Sequence, residues 1–142
     1  MLITPEEITS LEEHHRFVFG SNKSGIHAGG AAFQAHKDFG AEWRNPKGIQ
    51  GQSYAIPTKN ETITKSLGLN EISRYVDEFI EFAKNNPQLT FFVTKIGCGL
   101  AGLKIEQIAP MFAEASDLDN VALPLEFRQN LLNTKKFSKN LF

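Results

Sequence analysis

The sequence predicts an α/β fold of three layers, a mainly parallel or mixed sheet flanked by helices. Two observations lead there. Apolar, β-forming runs alternate along the chain with segments of helical spacing, the pattern of a sheet covered on both faces. Two of those runs lead directly into glycine-rich segments, Gly20 to Gly30 and Ile96 to Gly102. Strand ends that turn into helix N-termini offer free N–H groups to an anion, and glycine lets the backbone come close to it.

At the N-terminus, Thr4 as N-cap, Pro5 at the first helical position, Glu7 completing a capping box and the pair Ile3 and Ile8 as a staple predict a helix from Pro5 within residues 1–15. His14 and His15 fall at its end, where their charge suits the helix dipole better than a metal role does. Arg16 to Phe19 reads as the first strand, ending at Gly20. Small residues from Gly30 to His36 predict a helix closed near Phe39 and Gly40, able to pack tightly on a sheet. Trp43 to Gly51 is turn-rich and reads as loop, and Ser53 to Pro57 as a second strand stopped by its proline.

Residues 62–69 read as loop. Asn70 then caps the clearest helix, with Ile72, Tyr75, Val76, Phe79, Ile80 and Ala83 on one stripe. Gln88 to Thr94 has the composition of a fully covered strand. Ile105, Ile108 and Phe112 mark a short helix that Pro110 must delay or kink. Asn120 to Pro124 reads as the last strand, Leu125 to Leu132 as partly helical, and residues 133–142 as a loose tail. No repeat or linker divides the chain, so one domain over residues 1–142 is expected.

Composition narrows the function. Fifteen Lys and Arg against 16 Asp and Glu give no general attraction to nucleic acid or to an acidic membrane. No apolar run approaches the roughly 18 to 20 residues of a bilayer span, and the first residues lack the pattern of a signal peptide. With Cys98 as the lone cysteine, a cytoplasmic protein without membrane partner is expected. Dispersed histidines and one cysteine offer no zinc spacing, and neither metal nor cofactor is expected.

The residues that can carry chemistry lie at strand exits. In the first glycine segment these are Ser21, Asn22, Ser24, Gly25, His27, Gly29, Gly30 and Ala31; in the second, Gly97, Cys98, Gly99, Leu100, Ala101 and Gly102. Gly97-x-Gly99-x-x-Gly102 matches the dinucleotide fingerprint literally, but the acidic residue expected about 20 positions on is ambiguous, and no P-loop is present. Asn22 can hold a ribose hydroxyl or anchor its own loop. Lys59, at another strand exit, can pair with phosphate, although most lysines are simply solvated. His27 can position a ribose or a water. Cys98 as a nucleophile would need His27 or His36 as its base, and a small residue beneath a tight turn is the simpler reading.

Thr94 to Leu103, after a buried strand and before a helix, is similar to the second ligand loop of macro domains. The likeness runs in order from Phe17 to Leu123 and is nearest to the branch of terminal ADP-ribose protein glycohydrolase and the ADP-ribose 1″-phosphate phosphatases. It also extends to small macro-like proteins of bacteria and phages. The resemblance implies a macro domain-like fold and an ADP-ribose-like small-molecule ligand. It implies that Asn22 to Ala32 hold distal ribose and diphosphate, and that Lys59 stands where the glycohydrolase has its catalytic lysine.

Two departures qualify the reaction. Ala101 stands where that branch has its catalytic aspartate, and the acidic residue that reads adenine has no counterpart. Binding, with or without hydrolysis, is therefore the leading expectation. A regulatory interaction module that kept the fold and lost the chemistry, or a Cys98-dependent hydrolase, are its rivals.

Overall fold

Strand alternation builds the core. Phe17 and Phe19 point to one face of the sheet while Val18 between them points to the other, and Ala55 likewise alternates with Tyr54 and Ile56. The computed structural model describes residues 2–141, of which 135–141 are described in backbone only. Its strands are β1 (Leu2–Ile3), β2 (His15–Asn22), β3 (Gly48–Gln50), β4 (Ser53–Lys59), β5 (Thr90–Val93) and β6 (Val121–Leu123). They form one six-stranded sheet in the order β1-β6-β5-β2-β4-β3. All neighbours are parallel except β3 and β4.

Helices cover both faces. On one, α1 (Gly30–Asp38) sets Ala32 and Ala35 against Phe17, Phe19 and Phe39. On the other, α2 (Leu69–Lys84) buries Ile72, Val76, Phe79, Ile80 and Ala83, as its 3.6-residue stripe predicts. Phe79 meets Phe91 of β5 edge to face, with centroids 5.3 Å apart. The short α3 (Ile105–Ile108) runs into a 3-10 helix at Ala109–Asp117, with Pro110 in its first turn, so the proline both delays and tightens the helix. The last helix, α4 (Leu125–Leu141), adds Phe127 to the same core. The sheet between two helical layers is the expected α/β architecture.

Several expected elements differ. No helix forms over residues 1–15. Instead Leu2 and Ile3 pair with β6, Thr4 N–H donates to Leu123 O (2.9 Å), and the Thr4 hydroxyl donates to Val93 O (2.7 Å). The polar groups that looked like a helix cap are spent on the sheet. Gly68, not Asn70, is the N-cap of α2. The turn-rich stretch before Gly51 contributes the antiparallel edge strand β3.

β4 continues through Pro57 to Lys59, and the β2–β4 register shifts between Ser21 and Asn22, where the proline lies opposite. Proline is tolerated in a sheet at such irregularities. The backbone of residues 133–141, expected to be a loose tail, continues α4, while Phe142 and Met1 lie outside the described residues.

Arg128 fastens β1 to this frame. Its guanidinium is 3% exposed and donates to Leu2 O, Ser116 O and Val121 O. Buried carbonyls left without a donor are costly. Arg128→Ala is expected to lower stability by about 3 kcal/mol, measured as a fall in the urea midpoint with little change in slope.

Candidate functional site

Three parallel strands, β2, β4 and β5, end side by side, and ligands of open α/β sheets sit at such carboxyl ends. Between their exits lies a cleft of about 380 Å³. Of the residues expected to bind, Ser21, Asn22, Gly29, Gly30, Ala31, Lys59, Gly97, Gly99, Leu100 and Ala101 line it. Ser24, Gly25, His27, Cys98 and Gly102 do not.

The first loop is built around Asn22. Its Oδ1 accepts from Ile26 N–H (3.0 Å) and from the Ser24 hydroxyl (2.8 Å), and its Nδ2 donates to Ile26 O (2.8 Å). The carboxamide thus anchors the loop, and Ser24 serves the anchor. Gly25 turns the chain at φ +70, where a Cβ would stand 2.5 Å from the carbonyl carbon of Arg44, so no other residue fits without displacing backbone. Ser21 spends its hydroxyl on Pro46 O (2.5 Å).

His27 lies behind the loop. It is fully buried, its ring set edge-on to Phe19 at 5.2 Å, with Nε2 3.2 Å from Gln50 Oε1. Gln50 in turn accepts from Glu42 N–H and donates to Asn45 O and Gly48 O. The expected direct role for His27 at a ribose or water is therefore replaced by support of the loop. Burial holds its pKa below the usual histidine range, the bond to Gln50 acting the other way.

At the start of α1, Gly29 has extended backbone (φ −146, ψ 158) and no side chain caps the helix. Gly29, Gly30, Ala31 and Ala32 of this first turn line the cleft, which places the positive end of the helix dipole at its wall. In the second loop, Cys98 N–H and Gly102 N–H close turns on Lys95 O and Gly99 O, and Leu103 N–H bonds Gly97 O. Among the described residues, the N–H groups of Gly97, Gly99, Leu100 and Ala101 take no partner within the protein. Gly97, at φ +78, sits beneath this loop against Leu103 and Ile108. Leu100, 72% exposed, leans over Gly29 and Gly30.

Cys98 points away from the cleft. Its half-buried thiol lies 3.5 Å from Ile96 O and packs on the core, and burial pushes its pKa up. That suits a filler and not a nucleophile. Outside the cleft, Glu12, His14 and His15 gather their ligand atoms within 4.8 Å. His15 Nδ1 accepts Glu12 N–H (3.1 Å), which leaves the proton of the neutral ring on the Nε2 that faces Glu12, so the trio forms a turn and not an open ligand set.

The sequence reading missed Ile63 on the cleft wall, and it placed Thr58 at a strand exit and Thr94 and Lys95 in the second-loop likeness without giving them a binding role. Thr94 and Lys95 follow β5 directly and were legible as a strand exit; Ile63 carries no signal in sequence. Lys95 lies 2.8 Å from Glu126. Ala31, Thr94 and Lys95 are shared with an adjoining cavity of about 570 Å³, whose walls combine Ile3, Pro5, Ile8 and Leu125 with Glu6, Gln34 and Glu126.

No family model matches the chain, and no curated protein matches it by sequence. Among solved structures it is similar to Thermosipho africanus DarTG in complex with ADP-ribose. The TM-score is 0.56 at 18% identity, over 80% of this chain and 39% of that one. The fold is macro domain-like. The macro-like chain thus spans less than half the length of that neighbour. Among the described residues, no helix is long and apolar enough to cross a membrane.

The buried histidine of this macro-like fold makes stability pH-dependent. A folded pKa below the unfolded value of about 6.5 means that the unfolded chain binds the proton more readily. The contribution is present above pH 6.5 and is lost as pH falls below it. His27→Leu is expected to flatten that part of the profile, measured by urea unfolding between pH 7.5 and 5, with His15, whose pKa burial also lowers, left in place as the residual slope.

Proposed function

We propose that the chain binds ADP-ribose or a closely related phosphorylated ribonucleotide, with diphosphate between the two glycine loops. The observation that carries this reading is the make-up of the cleft. It combines an uncapped helix N-terminus, a second loop with unspent N–H groups, and Lys59, while Lys95 is paired with Glu126 and no Asp or Glu among the described residues lines the cleft itself. Such a wall stabilises an anion and repels none.

The adjoining cavity takes the base. Its aliphatic and proline surfaces, interspersed with Glu6 and Glu126, suit a flat heterocycle that carries hydrogen-bond donors, and the two spaces adjoin through shared residues. The distal sugar then lies toward Asn22 and Lys59. The solved neighbour, with its ADP-ribose, supports the same ligand class.

Binding is favoured over hydrolysis. Ala101 brings no carboxylate to the second loop, so Lys59 is left without a partner for acid–base work. Lys59 supplies charge to the ligand, and the chain acts as a reader of the nucleotide. Release of a hydrolysed product from ADP-ribosylated protein or ADP-ribose 1″-phosphate, followed by mass spectrometry and lost in Lys59→Ala, would replace this reading with a catalytic one.

Gly99 supplies the test of the site. A side chain there meets open space within 4 Å and its backbone needs no positive φ, so the variant folds. ADP-ribose at 100 times its dissociation constant is expected to raise wild-type stability by about 2.7 kcal/mol. Gly99→Phe is expected to keep the ligand-free melting temperature and lose that gain. An unchanged gain would remove the ligand from this cleft.

A further inference from the structure

Among the described residues, Arg44 and Ile63 alone combine a side chain with positive φ. Arg44 is explained by its neighbour: its N–H bonds Gly25 O at 2.8 Å, and the two segments interlock. Ile63, at φ +59, is not. A β-branched side chain is among the worst choices for left-handed backbone, where glycine or asparagine sits without strain. Nor does Ile63 belong to either hydrophobic core; it is 36% exposed and faces the cleft.

The surrounding loop is constructed to hold that conformation. Asn60 Oδ1 accepts from Thr64 N–H (3.0 Å) and Lys65 N–H (3.3 Å), and Asn60 O accepts from Ile63 N–H (3.1 Å). Lys59 and Ser66 bridge the base of the loop, and the Ser66 hydroxyl donates to Ala101 O in the second glycine loop. The residue is thereby fixed on the cleft wall that Lys59 also lines, and it takes no part in the adjoining cavity.

We propose that Ile63 determines ligand specificity by packing its side chain on the apolar face of the terminal sugar ring. It would select nucleotide sugars over nucleotides that end in phosphate. The inference rests on the nucleotide-sugar reading above. Strain tolerated at a site with no core contact is explained when the side chain meets a ligand.

Calorimetric titration of ADP-ribose and ADP into the wild type, Ile63→Gly, Ile63→Asn and Ile63→Val tests it. Glycine and asparagine both accept the backbone, so these variants are expected to keep or raise the ligand-free melting temperature. They should weaken ADP-ribose about fivefold to tenfold and leave ADP unchanged, while Ile63→Val stays near wild type. An equal loss for both ligands, or no loss for ADP-ribose, overturns the role of Ile63 and leaves the binding function standing. Failure of the wild type to bind either ligand removes both.

Discussion

The central position of β2, paired in parallel on both sides, is the constraint on which the cleft depends. Its register sets Asn22 beside Lys59 of β4, and Val18 beside Val93 of β5. Thr94 then returns both its N–H (3.1 Å) and its hydroxyl (2.8 Å) to Val18 O, which fixes where the second glycine loop leaves the sheet. A slip of one residue along β2 would exchange Phe17 and Phe19 with Val18 between the two cores. The packing of large aromatic side chains on one face thus sets the positions of polar groups at the strand ends.

From that frame, the first loop is organised by groups that do not themselves face a ligand. Asn22 closes it, Gly25 permits its close approach to Arg44, and His27 with Gln50 fills the space behind. These bonds consume inward-facing polar groups and leave outward-facing N–H groups to the cleft. Water can satisfy those groups, and an anion can replace the water without rearranging the loop, so little ordering cost falls on binding. The second loop follows the same division, with Cys98 and Gly102 closing turns and the residues around Gly99 left open.

Much of this architecture was legible in the sequence because long apolar patterns survive tertiary context. The α2 stripe buries Ile72, Val76, Phe79, Ile80 and Ala83 and leaves Tyr75 half-buried, whereas the run expected to be a fully covered strand over Gln88 to Thr94 shortens to Thr90–Val93 and buries only Phe91 and Val93. Local polar signals fared worse. Thr4, Pro5 and Glu7 spell a helix start, yet the Thr4 hydroxyl finds its acceptor 89 residues away, and pairing with β6 outweighs a single short helix. His27 looked available because it sits among glycines, whereas its side chain turns inward to Phe19. Lys59, by contrast, was placed by a strand exit, a feature of topology that the pattern of alternating elements does encode.

Position 101 shows how a backbone carbonyl can join the two loops of the cleft. The side chain of Ala101 offers no proton and no charge, but its carbonyl accepts the Ser66 hydroxyl. The loop after β4 is thereby tied to the loop after β5 through backbone alone. An aspartate there would bring a negative charge beside Lys59 and the free N–H groups, on a wall where Lys95 is already paired with Glu126. With alanine there, the charge on this side of the cleft comes from Lys59 and the free N–H groups alone.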